Sequence, residues 1–211
     1  MTDTRHVLRK LRDILPARTL TQAEAFHFAE QQAMLALKLF GEKNVPIDVA
    51  KVADLPTIEV RMRPRHQMTG LSGFTCWDEE HARWVVTINR SNVEGRRRFT
   101  LAHEFKHILD HARDALAYAN LGAGNAAKRQ RQIEQICDHF AACLLMPTAV
   151  VKKMWQSGIQ DVETLALLFK VSAAAMHVRL SYLGFLDDEL PVRRYFRTDT
   201  PDKQIGYGLA A

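Results

Sequence analysis

Two histidines and a glutamate stand close together in the segment HEFKH, residues 103–107. In a helix, residues four apart lie on one face about 6 Å apart, so His103 and His107 can both offer an imidazole nitrogen to one ion. Glu104 lies beside the first histidine and can take a proton from water without being a ligand. The pattern predicts a zinc peptidase site with Glu104 as general base. A helix with solvated His and Glu side chains is the alternative that the motif alone leaves open.

A catalytic zinc ion usually takes three protein ligands, so a third is required. His111 is excluded because the rise of a continuous helix puts it about 12 Å along the axis from His103. Glu134 lies on the next strong helix, which follows a loop, and Asp138 comes one turn later on the same face. The sequence therefore predicts Glu134 as the third ligand and Asp138 as the acceptor of the free ring N–H of a ligating histidine. A mildly repelling surface pair of carboxylates is the competing interpretation.

The elements that must position these residues follow from periodicity and end signals. Thr21 and Glu24 form a capping box, which predicts an amphipathic helix over residues 22–40. The runs TIEVRMR, LSGFTCW and RWVVTINR predict three strands of a small antiparallel sheet. The metal-site helix begins near Glu94 with a buried stripe of Leu101, Phe105 and Ile108. Further helices are predicted at residues 4–14, after Pro46, and at residues 128–146, 148–157, 161–169 and 172–183.

Composition indicates an ordinary globular protein, since 47% of the 211 residues are hydrophobic and 25% are charged. The apolar stretch at residues 141–146 is far shorter than the roughly 20 residues that span a bilayer, and the N-terminus has no apolar signal region. Three cysteines, Cys76, Cys137 and Cys143, include no CxxC pair, so a reducing cytoplasm is predicted and they are assigned no chemistry. The net charge of +5 permits nucleic-acid contact, but short basic groups are typical of solvated faces.

Three blocks of the sequence resemble the ImmA/IrrE-type metallopeptidases: RRFTLAHEFKHILDH at 97–111, IEQICDHFAACLLMP at 133–147 and LALLFKVSAAAMHVRLSYLGF at 165–185. The middle block is the most specific, because the family pairs its HExxH with a Glu-x-x-Ala-Asn/Asp-x-Phe-Ala-x-x-Leu-Leu-Met-Pro pattern. Here Cys137 stands in place of the usual alanine. The resemblance extends over about residues 45–186.

The resemblance implies an α+β fold with a thermolysin-like (gluzincin) metal core, with His103, His107 and Glu134 as ligands and Glu104 as catalyst. These are the residues that spacing selects. It also implies a zinc-dependent endopeptidase whose substrate is a helix-turn-helix repressor, so that cleavage relieves repression in a stress response or mobile element. A metal-dependent regulator that binds DNA or sequesters a repressor without proteolysis is the alternative. Manganese or another divalent ion also suits a His/His/Glu site.

These interpretations divide the chain into an N-terminal helical segment (1–44), a metallopeptidase core (45–147), a helix-turn-helix-like helical subdomain (148–190) and a C-terminal tail (191–211). The third block makes a DNA-binding regulator the main rival. Only Lys170 and Arg179 are strongly positive within residues 161–186, so direct DNA binding is disfavoured. A helical platform for the active site or for a protein partner is predicted instead.

Two questions stay open at the level of sequence. A structural zinc site in a protein that titrates a partner is a third hypothesis, disfavoured because no fourth protein ligand is found and Glu104 is left without a role. The oxyanion stabiliser is unassigned among five candidates, which are Tyr118, His139, His177, Arg179 and Tyr182.

Overall fold

The computed structural model describes residues 6–186, which form eight α-helices and three strands. The α+β class is confirmed; the predicted tail at 191–211 lies outside the described residues. The elements in chain order are α1 (Val7–Arg12), α2 (Gln22–Phe40), β1 (Ile58–Arg63), β2 (Gly73–Asp78), β3 (Arg83–Asn89), α3 (Glu94–Asp110), α4 (Asp114–Ala117), α5 (Ala126–Leu145), α6 (Thr148–Gln156), α7 (Val162–Phe169) and α8 (Ala173–Tyr182). Three 3-10 helices, at residues 49–54, 65–67 and 121–124, complete the described elements.

The three-stranded sheet has the order β1-β3-β2 and is mixed. The prediction of an antiparallel sheet is correct for β2 and β3, which the short connection at 79–82 joins as a hairpin. It is wrong for β1, which runs parallel to β3 with Ile58 opposite Trp84. After β1 the chain forms β2 and then β3. Strand β3 lies in the middle of the sheet, with β2 on one side and β1 on the other. The alternating pattern that identifies a strand carries no information on direction, so sequence could not decide this pairing.

Helix α2 begins and ends where its sequence signals place it. The Thr21 side chain accepts a hydrogen bond from the Glu24 backbone N–H at 3.2 Å, and the Glu24 carboxylate accepts one from the Thr21 N–H at 2.9 Å. Gly41 ends the helix in the left-handed conformation. The face toward the core carries fully buried alanines, which let a neighbouring helix approach closely: Ala25, Ala29, Ala33 and Ala36.

Helices α3 and α5 pack against each other at the centre of the fold, and they carry the predicted site. Leu101, Phe105 and Ile108 of α3 are buried as predicted, on the side that meets the sheet and core. The Asn125 side chain caps α5 by accepting from the Lys128 N–H at 2.8 Å. Helix α5 also packs on α2, so the site lies on helices that are held from several sides.

The chain bends by 108° between the C-terminal helices α7 and α8, which pack on each other. Arg179 of α8 is buried, and its guanidinium donates to the Met146 carbonyl oxygen at 3.1 Å and to Thr148 Oγ1 at 2.8 Å. The turn between the two helices lies against the start of α3, where a Cβ on Gly95 would come within 3.2 Å of the Val171 backbone. This pair of helices is therefore anchored to the part of the fold that carries the site.

Within residues 6–186, no helix taken singly has the length and apolar character needed to cross a membrane. The bent pair α7 and α8 meets that criterion together, by length and composition only.

Candidate metal centre

Helices α3 and α5 bring His103, His107 and Glu134 together around one point. The two Nε2 atoms of the histidines lie 3.2 Å apart. Glu134 Oε2 lies 3.1 Å from His103 Nε2, and Glu134 Oε1 lies 3.7 Å from His107 Nε2. The turn of α3 between positions 103 and 107 supplies two of these groups, and α5 supplies the third across the helix interface.

The spacing of these atoms suits a small divalent cation. Zinc binds nitrogen and oxygen ligands at about 2.0–2.1 Å, so the corners of a tetrahedron around it are about 3.3 Å apart. The distances of 3.1, 3.2 and 3.7 Å between the three side chains are close to that value. Two imidazole nitrogens and a carboxylate oxygen are all electron-rich, so their convergence is favourable when a cation lies between them. The residues present therefore fit a metal ion.

Hydrogen bonds orient two of the three groups. The Nδ1 atom of His103 lies 2.8 Å from Oδ1 of Asp138, whose side chain is buried. An N–H at Nδ1 directed to this carboxylate leaves the lone pair on Nε2, at the point where His107 and Glu134 meet. Gln130, one turn before Glu134 on α5, donates to Glu134 Oε1 at 2.8 Å.

Glu104 lies next to His103 in α3 and is only 3% exposed. Thr75 Oγ1 of strand β2 donates to Glu104 Oε2 at 2.9 Å. The carboxylate thus lies between the helix that carries the histidines and the edge strand β2. The sequence predicts the position of Glu104 from the motif, whereas the contact with Thr75 depends on how β2 packs on α3.

The family model for the IrrE N-terminal-like domain, Peptidase M78, matches residues 56–181, more than half of the chain. The chain belongs to this metallopeptidase family. The resemblance to ImmA/IrrE-type proteins is thereby confirmed. The matched range contains the whole of α3 and α5, and so every residue of the candidate metal centre.

Among curated proteins, this member of the IrrE N-terminal-like family is similar to the radiation response metalloprotease IrrE of Deinococcus radiodurans, with 28% identity over 152 residues. That alignment covers 72% of this chain and 43% of the relative, so the chain spans less than half of the relative's length. Among solved structures, a Mycobacterium tuberculosis transcriptional regulator has a similar fold, with a TM-score of 0.58 at 15% identity. The match covers 87% of this chain and 53% of that protein.

Cys137 is a residue at this centre to which the sequence assigns no chemistry. Its Sγ lies 3.7 Å from Nδ1 of His107, and His103, His107 and Cys137 form a group of side chains that could hold a metal ion. Cys137 follows Glu134 by three residues on α5, so the helical period places both on the face toward α3. That spacing is the signal that could have identified it. Cys143 lies elsewhere, with its Sγ 3.4 Å from Nε2 of His139.

The electrostatics of the centre follow from burial and close pairing. Burial opposes a charge on His103, but the hydrogen bonds to Asp138 and Glu134 outweigh it and raise its pKa to about 10. Burial also favours the neutral form of Glu134, yet the two histidines hold its pKa well below the usual range. Burial raises the pKa of the Cys137 thiol to about 11, which keeps it protonated at neutral pH.

Burial likewise opposes a charge on His107, whose pKa is nevertheless raised by its neighbours Cys137 and Glu134. Since the thiol of Cys137 is protonated at neutral pH, the anion that acts on His107 is the Glu134 carboxylate. The two histidines bind protons strongly because carboxylates surround them. A metal cation can take the place of these protons, so the cluster is suited to bind one.

Two of the five oxyanion candidates are engaged elsewhere. Tyr118 is fully buried and donates its hydroxyl to Asp110. Arg179 is held by the Met146 carbonyl and Thr148.

His139 is buried between the rings of Phe26 and Tyr182. Tyr182 itself is 56% exposed, and His177 has its backbone carbonyl bonded by Ser181 Oγ at 3.1 Å.

Proposed function

We propose that this chain is a zinc-dependent endopeptidase in which His103, His107 and Glu134 hold the metal and Glu104 is the general base. The observation that carries the proposal is the convergence of the two Nε2 atoms and the Glu134 carboxylate, with a buried glutamate immediately beside them. A structural role for the metal leaves Glu104 without a function. The proposal includes a thermolysin-like arrangement of the metal core, with ligands from two neighbouring helices.

Glu134 is preferred to Cys137 as third ligand because of the side of the imidazole ring that each one faces. Glu134 lies near Nε2 of His107, the atom that is 3.2 Å from Nε2 of His103. Cys137 lies beside Nδ1, the other ring nitrogen. A metal ion shared by the two histidines through Nε2 is therefore on the side of Glu134. In this arrangement Cys137 contacts His107 from behind the metal-binding nitrogen.

The protein's own groups divide the work of hydrolysis. A bound divalent ion supplies Lewis acidity, which polarises a peptide carbonyl and makes water a nucleophile near neutral pH. The Glu104 carboxylate accepts a proton from the attacking water and returns it to the nitrogen of the leaving amine. Asp138 keeps the proton of His103 at Nδ1, so that Nε2 remains available as a ligand atom. Zinc is the proposed ion, and manganese is an acceptable substitute for these ligands.

The proposed substrate is a helix-turn-helix repressor or another regulatory protein, whose cleavage relieves repression in a stress response or mobile element. The family membership supports a protein substrate, and the curated relative is named for a radiation response. Helices α7 and α8, between which the chain bends by 108°, are proposed to form a helix-turn-helix-like platform for the partner or the active site. The three free thiols accord with a cytoplasmic location.

Direct DNA binding is not part of the proposal, because the two strong positive charges of this platform are engaged by the protein. Arg179 is buried against Met146 and Thr148. Lys170 Nζ lies 3.3 Å from Glu94 Oε1. Phosphate binding needs several exposed Lys or Arg side chains, and this helix pair presents few.

The experiment uses the purified full chain loaded with zinc and the helix-turn-helix repressor encoded nearest its gene. The expected result is repressor cleavage that a chelator abolishes, that zinc or manganese restores, and that the Glu104→Gln variant lacks despite a normal metal content. Repressor binding without cleavage in all samples would instead support the metal-dependent regulator that sequesters its partner. If the repressor is neither bound nor cleaved, this substrate class is rejected.

A further inference from the structure

We propose that Thr75 is the positioning residue for the Glu104 carboxylate, an inference that rests on the proposed role of Glu104 as general base. Thr75 lies on the edge strand β2, outside the helices that carry the HExxH motif and Glu134. Its Oγ1 donates to Glu104 Oε2 at 2.9 Å. The motif determines the position of Glu104 in α3, and the hydrogen bond from Thr75 determines the position of its carboxylate.

The hydrogen bond from Thr75 has the properties that positioning requires. Glu104 is 3% exposed, so little water competes for its carboxylate. A hydroxyl that donates to a carboxylate forms one of the stronger kinds of hydrogen bond. A glutamate side chain has three rotatable bonds, and a bond to one of its oxygens selects among the conformers that they allow.

Both the backbone and the χ1 angle of Thr75 are constrained. Its backbone is paired with Val86 of β3, the central strand of the sheet. Threonine is branched at Cβ, which restricts its χ1 angle. The hydroxyl therefore presents a donor from a fixed point of the sheet to a side chain of α3.

The packing of β2 on α3 independently supports a close and specific contact at this place. Gly73 precedes Thr75 by two residues and so lies on the same face of β2. A Cβ on Gly73 would come within 2.4 Å of Thr100 Cγ2 and 2.9 Å of the Thr87 carbonyl oxygen, and within 3.7 Å of Glu104 Cγ. Only glycine allows the strand and the helix to approach this closely, and this approach brings Thr75 within reach of Glu104.

The test compares Thr75→Val, which keeps the shape and removes the donor, with Thr75→Ser, which keeps the donor. Thr57→Val, an exposed change of the same type just before β1, is the matched control. With the repressor as substrate, Thr75→Val is expected to lower kcat about tenfold, with KM and metal content unchanged, because a displaced base acts less well. Thr75→Ser is expected to restore most of the rate, and Thr57→Val to equal the wild type.

A second measurement is made on the metal-free protein and needs no activity. Urea unfolding of Thr75→Val, Glu104→Met and the double variant gives the coupling between the two side chains. Thr75→Val is expected to raise the unfolding equilibrium constant in both backgrounds. The factor should be about five times larger, or more, in the wild-type background than in the Glu104→Met background. Additive effects would show that the two side chains do not interact and would overturn the proposal.

The outcomes separate this inference from the proposed function. If the wild type cleaves with metal and Thr75→Val has the wild-type kcat, the positioning role is rejected and the peptidase stands. If the wild type does not cleave while Glu104→Gln keeps its metal, the proposed function fails and the role of Thr75 in catalysis fails with it. A loss of rate that Thr75→Ser does not restore would also reject the hydroxyl as the agent.

Discussion

The Nδ1 atom of His103 and Oδ1 of Asp138 are 2.8 Å apart, and this contact joins α3 to α5 inside the protein. Both residues are at most 5% exposed. The contact fixes the ring orientation of His103 and the nitrogen that carries its proton. The geometry of the candidate metal centre thus depends on a carboxylate at Nδ1 of His103, whereas His107 and Glu134 lie at Nε2.

Replacing Asp138 by alanine is expected to weaken zinc binding about 10- to 100-fold, because His103 loses the acceptor that orients it and strengthens it as a ligand. Competition with a fluorescent chelator measures the affinity. Asp54→Ala, an exposed change, is the control and should bind zinc as the wild type does. Equal affinities for all three proteins would show that Asp138 does not support a ligand.

Substitutions at the four site residues are expected to fall into two classes. His103→Ala, His107→Ala and Glu134→Ala should each lose bound metal, because each removes one of the three proposed ligands. Glu104→Gln should keep its metal and lose about 10²–10⁴-fold in kcat, the usual contribution of a general base. Metal analysis of the purified variants, beside a cleavage assay, separates the classes. Loss of metal from Glu104→Gln would place Glu104 among the ligands.

The choice between Glu134 and Cys137 as third ligand can be tested with cobalt. Cobalt(II) in a site of two imidazoles and a carboxylate is expected to lack the strong near-ultraviolet absorption that a thiolate ligand produces, since Cys137 faces the other nitrogen of His107. Cys137→Ala is then expected to retain metal stoichiometry. A strong thiolate band in the wild type that disappears in Cys137→Ala would make Cys137 a ligand.

Local signals were sufficient to predict the α-helices other than the short α4, and the residues that converge in the candidate centre. The capping box at Thr21 and Glu24 forms as its spacing predicts, because both partners lie within one turn. His103, His107 and Glu134 were selected by helical period and by donor chemistry, and the structure brings these three together. Their roles as ligands remain a prediction.

Features that depend on contacts between distant elements could not be predicted in this way. The parallel pairing of β1 with β3 depends on how the chain returns after β2. The contact between Thr75 and Glu104 joins residues 29 positions apart on different elements. Lys106 is fully buried, and the residues next to it in sequence do not predict this burial. Its partner Gln32 comes from the distant helix α2. Periodicity describes one element at a time and carries no such information.

The buried ammonium of Lys106 predicts a large effect on stability. Its Nζ lies 2.6 Å from Gln32 Oε1 and 2.7 Å from Asp110 Oδ1. Lys106→Met should cost about 3–5 kcal/mol in the free energy of unfolding, because it leaves Asp110 buried without its cation. Urea unfolding measures the cost, with exposed Lys152→Met as control. If the double variant Lys106→Met with Asp110→Leu is no more stable than Lys106→Met alone, the loss is not due to an uncompensated carboxylate.

His139 predicts a specific dependence of stability on pH. Its burial, followed by the charges of Arg179 and Lys106, lowers its pKa to about 4, compared with about 6.5 in an unfolded chain. Below pH 6.5 the unfolded chain binds a proton that the folded protein refuses, so stability falls with decreasing pH until the folded histidine titrates near pH 4. Between pH 7 and pH 5 this contribution amounts to about 2 kcal/mol.

The variant His139→Phe isolates this effect from all other titrating groups. Phenylalanine keeps a ring between Phe26 and Tyr182 and cannot be protonated. Urea unfolding of the metal-free proteins at pH 7 and pH 5 is expected to show a loss about 2 kcal/mol smaller for His139→Phe than for the wild type. His66→Phe, at an exposed position, is expected to behave as the wild type. The same loss in His139→Phe as in the wild type would mean that His139 is protonated equally well in the folded and the unfolded state, contrary to its buried position between two aromatic rings.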